Sequence, residues 1–372
     1  MKVYLVGGSV RDQLLGVSSQ DHDYLVVGSS PQQMLDAGYL PVGKDFPVFL
    51  HPGSHDEYAL ARTERKTALG YTGFAFHTAP DVTVEQDLAR RDLTINAMAR
   101  TEDGELIDPF GGQRDLADKV LRHVSAAFEE DPVRILRLAR FAARMPEFVV
   151  AEETMALMRR MVQAGEVNAL VAERVWQELA RGLLEARPER MFQVLQACDA
   201  LPHLVPELVD AEPIVWQALR LAVERQFNLE QRFATLLHRM SSQADIRALC
   251  QRLKVPSHCR DMLEMLAREL PLREKWSALQ PEQWVHLMQR CDAWRKPQRF
   301  EQFLQAICAV FPLEAQCQHL RMALNAAKAI DAGAIAQQYA NQTALIASAI
   351  FRARVDAVTG LIGVQPVGEA TA

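Results

Sequence analysis

Cysteine is scarce: six residues in 372, all from Cys198 onward, with no Cys-x-x-Cys pair. That excludes a disulfide framework and a cysteine zinc site, and points to reduced thiols in a cytoplasmic protein. Long apolar runs are also missing. Val3 to Val6 is only strand length, no stretch is long enough to span a membrane, and no basic-then-apolar leader opens the chain. An excess of base is absent too: 41 Lys and Arg face 47 Asp and Glu, a formal net charge of −6. If a polynucleotide is bound, the basic surface must be local and offset by acid elsewhere. There is no short-period repeat and no low-complexity tract, and the last residues (VQPVGEATA) read as a loose tail.

What is present is 49% hydrophobic and 24% charged, enough for two or three domains with cores of their own. Up to about residue 110 the texture is mixed α/β. Strands are expected at 2–7, 22–27, 46–51 and 56–63, with a hairpin of 96–100 and 105–108 about Asp103-Gly104. Helices are expected at 8–15, 31–37 and 83–94. From about residue 114, Ala/Leu/Arg/Glu/Gln segments take over, broken by prolines from 146 to 312, and read as a string of α-helices. The fold class is therefore an α/β (α+β) head with a small sheet, followed by an elongated all-α remainder.

The chemistry concentrates at the start. Gly7-Gly8-Ser9 lies at a strand-to-helix turn, with Arg11 and Asp12 in the first helical turn. Glycines let backbone approach a ligand closely, and a helix N-terminus directs unpaired N–H groups outward, which suits a triphosphate. Asp21 and Asp23 are two apart on a strand, so their carboxylates share a face and make an oxygen site for Mg²⁺. A two-metal phosphoryl-transfer centre needs such a site. Taken singly, a Gly-Gly turn is common and Asp-x-Asp is usually solvated or a helix cap.

In order, GGSVRDQLLG then QDHDYLVVG resembles the nucleotidyltransferase superfamily, in the branch of class II tRNA CCA-adding enzymes and bacterial poly(A) polymerases. The Gly-rich stretch Arg62 to Phe76 reads alone as a solvated loop or as a mobile loop hinged at Gly70 and Gly73 that closes on the active site; the resemblance favours the second and implies a flexible loop needed for the change from C to A addition. Arg90-Arg91-Asp92-Leu93-Thr94-Ile95-Asn96 reads alone as a charge cluster on a helix, with Asp92 and Asn96 on one face. The resemblance implies that Gly8, Arg11 and Arg91 meet the triphosphate and that Asp92 and Asn96 hold the sugar.

The segment Glu130 to Arg144 places Ile135, Leu138, Ala139 and Ala142 on one helical face and Arg134, Arg137, Arg140 and Arg144 on a second stripe. One reading is an amphipathic helix with Glu130–Arg134 and Asp131–Arg134 surface pairs of about 0.3–0.5 kcal/mol each. The other uses the spacing of Asp131 and Arg134. A carboxylate acceptor beside a guanidinium donor matches the amino group and ring nitrogen of cytosine and adenine. It rejects uracil and guanine, where mispairing costs roughly 1–3 kcal/mol per unsatisfied group. This resembles the EDxxR motif by which class II CCA-adding enzymes read incoming CTP and ATP, and the resemblance implies that Arg137 and Arg140 also contact the nucleotide.

The expected organisation is a nucleotidyltransferase head at 1–112, a helical base-recognising neck at 113–200 and a helical body and tail at 201–372. By the same resemblance the helical part grips the acceptor and T arms of tRNA, no membrane or protein partner is implied, and C, C and A are added in turn from CTP and ATP with release of pyrophosphate. A poly(A) polymerase, or an enzyme adding only A or only CC, is the alternative; a non-enzymatic RNA-binding module is set aside by the Asp-x-Asp pair. Glu57 is available as an extra carboxylate. Trp176, Trp216, Trp276, Trp284 and Trp294 read as packing residues. Longer relatives carry a His-Asp phosphohydrolase domain. Here Arg239 follows His238 where Asp is expected, so His238 reads as structural and no phosphatase or phosphodiesterase activity is expected.

Overall fold

The structure, a computed structural model, describes residues 1–18, 22–42, 48–66, 74–77 and 79–362. It forms two compact units, Met1–Asp210 and Ala211–Ala372.

In the first unit β1 (Lys2–Val6) runs through Gly7 into helix α1 (Gly8–Leu14) and returns as β2 (Asp23–Val27). Helix α2 (Pro31–Asp36) begins at a capping box between Ser30 and Gln33. Then come β3 (Leu40–Val42), β4 (Val48–Leu50) and β5 (Glu57–Leu60). Strands β6 (Thr63–Lys66) and β7 (Phe74–His77) form a separate antiparallel pair. The stretch expected to be irregular is thus a hairpin at both ends, while 67–73, with Gly70 and Gly73, lie outside the described residues. Helix α3 spans Val84–Ala89, and β8 (Ala99–Thr101) and β9 (Leu106–Ile107) close a hairpin about Gly104.

The main sheet has seven strands in the order β3-β4-β5-β2-β1-β8-β9. β1 pairs antiparallel with β2 and β8, and β2 pairs parallel with β5. Alternation along the strands gives the sheet two buried faces. Tyr4, Val6 and Leu25 pack with Val84, Leu88 and Ala97 on one. Val26, Phe49 and Leu60 pack with Met34 of α2 on the other. Each large side chain so buried stabilises the unit by about 1.5–3 kcal/mol.

The rest of this unit is mainly helical: α4 (Gly112–Ala117), α5 (Val133–Arg144), α6 (Glu152–Gln163), α7 (Ala172–Leu184) and α8 (Glu189–Ala197). A short parallel pair, β10 (Val120–Leu121) and β11 (Val149–Val150), brackets α5.

Two expectations need correction. The helix placed at 83–94 stops at Ala89, Leu93 is extended, and Thr94–Asn96 forms a 3₁₀ turn. The capping box at Thr83 and Gln86 starts the helix where expected, but a third turn is replaced by backbone that bonds elsewhere: Thr94 N–H donates to Arg122 carbonyl and Val124 N–H to Asp92 carbonyl. The α5 helix is also not a surface helix. Ile135, Leu138, Ala139 and Ala142 are buried as predicted, but so are Leu136, Phe141 and Ala143, and Arg134 and Arg140 beside them.

The second unit, by itself, is helical throughout its described residues, with longer helices at Ser257–Glu269, Pro297–Val310, Glu314–Lys328 and Thr343–Ile362. Trp276 and Trp284 are buried there, as Trp176 is in the first unit. All six cysteines are free and buried. No described helix is long and apolar enough to cross a membrane.

Candidate active site

The turn between β1 and α1 organises the site. Gly7 has φ +68° and ψ −128°, which a side chain resists, and its N–H donates to Met98 carbonyl (3.2 Å). A Cβ at Gly7 would lie 2.7 Å from Nη1 of Arg91, and one at Gly8 would lie 3.4 Å from Nη2 of Arg11. Two guanidinium groups therefore flank the Gly7-Gly8 backbone. Gly7→Ala is expected to cost about 1–3 kcal/mol through positive φ and to push Arg91 off the turn. A lowered thermal midpoint together with reduced turnover would show it; unchanged stability would contradict it.

Each arginine is held from behind. Asp87 is fully buried and accepts from Arg90 Nη2 (2.6 Å), Arg91 Nη2 (3.3 Å) and the Arg62 backbone N–H (3.3 Å). Burial alone would raise its pKa, but Arg90 and Arg91 hold it below the ordinary carboxylate range. Arg11 is 3% exposed; its Nε donates to Asp12 Oδ1 (2.9 Å) and its Nη1 to Asn96 Oδ1 (2.5 Å). Burial lowers the Arg11 pKa, and Asp12 works against that.

From Asn96 the network passes into the helical part. Asn96 Nδ2 donates to Asp92 Oδ1 (3.1 Å), the Leu93 N–H to the same oxygen (2.9 Å), and Arg137 Nε of α5 to Asp92 Oδ2 (2.8 Å). Asp92 and Asn96 thus meet as predicted, through an extended residue and a 3₁₀ turn rather than down one helical face. Burial pushes the Asp92 pKa up, but Arg137 and the Asn96 amide bring it down to about 2. A second link runs from Arg144 Nη2 to Asp12 Oδ2 (3.1 Å). The Arg11 and Arg140 guanidiniums both lie over the Phe141 ring, 5.2 and 4.8 Å from its centre.

The carboxylate edge lies beside this. The Asp23 N–H donates to Ser9 Oγ (3.3 Å), so β2 begins next to the start of α1. Parallel pairing puts Asp23 opposite Glu57, with Tyr24 stacked on Tyr58 (4.6 Å between centres) on the other face. Asp23 and Glu57 therefore project from the same face of neighbouring strands, a strand spacing of about 4.8 Å apart. Asp21 lies outside the described residues. Among the described residues no group of three His, Cys, Asp or Glu side chains is placed to hold a metal ion. The two exposed carboxylates supply hard oxygens only, the donor set that fits Mg²⁺.

At the far end of the arginine stripe the pairing differs from the expected i, i+3 surface pair. Asp131 accepts from Arg174 of α7 at both oxygens, Nη1 to Oδ1 (3.1 Å) and Nη2 to Oδ2 (2.7 Å). Arg134 Nη1 donates to Ala127 carbonyl (2.5 Å). Arg140 Nε donates to Glu178 Oε2 (2.6 Å), one helical turn after Arg174. Sequence reasoning placed Asp12 in the first helical turn without a role, and missed Asp87, Arg174 and Glu178. Arg174 and Glu178 do share a helical face in ERVWQEL, but their partners lie 43 and 38 positions away.

His238 falls in the second unit. It is 3% exposed, its Nδ1 lies 2.8 Å from Thr235 carbonyl, its ring meets Phe311 edge-on, and burial lowers its pKa. Its neighbour Arg239 pairs with Glu212 at the surface.

Comparisons with known proteins bear on this geometry. The Poly A polymerase head domain family matches residues 3–122, and the family described as a probable RNA and SrmB-binding site of polymerase A matches residues 147–212. A multifunctional CCA protein of Burkholderia multivorans is 51% identical, with 96% of this chain and 98% of that protein aligned. One from Burkholderia mallei is also 51% identical, covering 98% of this chain and all of that protein. These alignments run over 405 and 411 positions while this chain has 372 residues, so the relatives carry segments that it lacks. Among solved structures, a CCA-adding enzyme with ATP superposes with a TM-score of 0.74 at 22% identity, over all of this chain and 92% of that one. A tRNA-processing enzyme with CTP gives 0.69 at 21% identity, over 95% and 96%. At such identities these two speak for the fold.

Proposed function

The chain belongs to the family of CCA-adding tRNA nucleotidyltransferases, and on that premise we propose how its own residues carry the reaction. It is a nucleotidyltransferase that completes the 3′ end of tRNA with C, C and A from CTP and ATP. The 3′-hydroxyl of tRNA attacks the α-phosphorus of the bound nucleotide, a phosphodiester forms, and the bond to pyrophosphate breaks. The observation that carries the residue assignment is that Asp92 is shared. It takes Asn96 from the head and Arg137 from α5, and Arg11 bonds Asn96 in turn, so the candidate triphosphate and sugar contacts and the arginine stripe of α5 are joined by hydrogen bonds.

In this reading the Gly7-Gly8 turn, Arg11 and Arg91 face the triphosphate, the buried Asp87 and Asp12 fixing where the two guanidiniums stand. Asp92 and Asn96 position the sugar, and contact with a 2′-hydroxyl would favour ribonucleotides. Asp131 and Arg134 read the base, with Arg137 and Arg140 behind them. The family works with divalent metal ions; the finer proposal is Mg²⁺ held by Asp21 and Asp23, with Glu57 as a third carboxylate. When bound, the ions would activate the attacking hydroxyl and neutralise charge on the departing pyrophosphate. We assign residues 1–112 to catalysis, 113–200 to base selection and 201–372 to the acceptor and T arms of tRNA. A tRNA substrate and six free thiols also fit a cytoplasmic protein.

Incorporation of single nucleotides into tRNA transcripts ending before CCA, after C and after CC tests this. CTP alone should extend the first two, and ATP alone only the third. Extension of all three by ATP would favour the poly(A) polymerase that shares this head domain. The aligned relatives argue against it, being CCA proteins over nearly their whole length.

We further propose that the chain has no phosphohydrolase activity, given Arg239 after His238 and the burial of His238. Purified protein should release no phosphate from a nucleoside monophosphate. Chelator-sensitive release that is lost in His238→Ala would contradict this.

A further inference from the structure

The pairing of Arg174 with Asp131 has a use that bracing alone does not explain. A carboxylate has about four lone-pair directions. Arg174 occupies one on each oxygen, and the Val133 N–H takes another on Oδ1 (3.2 Å). Among the described residues one remains, on Oδ2. Asp131 sits in extended backbone just ahead of α5, whose first N–H holds Oδ1 and leaves the orientation of Oδ2 to Arg174. The fork of Arg174 sets both the plane of the carboxylate and the direction of the remaining lone pair. The pair is not sealed off: the side chains of Arg174 and Asp131 stay 26% and 20% exposed, so a nucleobase can reach that oxygen.

We propose that Arg174 is a positioning residue for base selection, aiming the single remaining acceptor of Asp131 at the exocyclic amino group of cytosine or adenine. This rests on the reading of Asp131 as a base-contacting residue. Helix α7 then steadies the base-reading stripe at two points, Arg174 at Asp131 and Glu178 at Arg140. With the aim fixed, the carbonyl that uracil or guanine presents at the same place meets an oxygen instead of a donor partner. With the aim lost, the carboxylate turns away and the penalty for the wrong base shrinks.

The test is the ratio of kcat/KM for CTP over UTP on a tRNA ending before CCA, measured for the wild type, Arg174→Lys, Arg174→Ala, Asp131→Ala and the double alanine variant. A ratio taken on one preparation cancels any fraction of unfolded protein. Arg174→Ala should lower the ratio about tenfold, mainly through a higher KM for CTP and a lower one for UTP. Arg174→Lys, which keeps charge but not the fork, should fall between. The double variant should discriminate no worse than Asp131→Ala. If Arg174→Ala keeps the wild-type ratio while Asp131→Ala loses it, Arg174 is a structural brace only and the proposal fails alone. If Asp131→Ala also keeps the ratio, the base-reading assignment fails and takes the proposal with it.

Discussion

Asp23→Ala is expected to reduce nucleotide incorporation by on the order of a thousandfold or more while leaving the protein folded. Asp23 is exposed, at the start of β2, where its N–H donates to Ser9 Oγ and its backbone pairs in register with Glu57. Alanine keeps both. What it removes is a carboxylate at the edge where the Gly7-Gly8 turn, Arg11 and Arg91 converge. Circular dichroism and the thermal midpoint should be unchanged, and turnover should collapse at every Mg²⁺ concentration. Residual activity within tenfold of wild type would remove Asp23 from the metal site. The same measurement on Glu57→Ala should give a smaller loss, as befits a third carboxylate.

The second large effect concerns stability. Asp92 joins head to α5, and Asp92→Asn leaves Arg137 facing an amide across a largely buried contact. Breaking such a pair costs about 3–5 kcal/mol when both partners are buried. The Arg137 side chain is 36% exposed, so about 2–3 kcal/mol is expected. The pH dependence follows from the same carboxylate. Its folded pKa is lowered to about 2 from an ordinary 3.8. A depressed carboxylate contributes stability that is fully present above the unfolded value and is lost as pH falls through the folded one. The contribution, about 2 kcal/mol, should therefore be intact at pH 5 and disappear between about pH 4 and pH 2. Urea midpoints taken across that range should fall in the wild type, and fall less in Asp92→Asn. Parallel curves would show that Asp92 is not the group responsible.

Local features of the chain were legible because local physics decides them. The strand-length apolar run Val3 to Val6 and the Gly-Gly turn after it announce their elements. Asp103-Gly104 announces its hairpin in the same way. The candidate site was legible where a motif packs its partners within a few residues, as Asp92 does with Asn96. It was not legible where a charge finds its partner across the fold. Arg134, Arg137, Arg140 and Arg144 on one stripe look like a solvated face, since nothing local shows that Asp92, Glu178 and Asp12 will arrive to meet three of them. The overlong helix at 83–94 has the same origin. Charged, helix-favouring residues continue past Ala89, but tertiary bonds to Thr94 and Asp92 end the helix.

On the proposed function the protein itself, through Asp131 and Arg134, selects the nucleotide with no nucleic-acid template. The most direct measurement supplies all four nucleoside triphosphates and Mg²⁺ to a tRNA transcript ending before CCA, then sequences the 3′ ends. C, C and A should be added in that order, with a stop after A and with errors that rise when Asp131 is replaced. Long A tails, or added U and G at comparable frequency in the wild type, would contradict it.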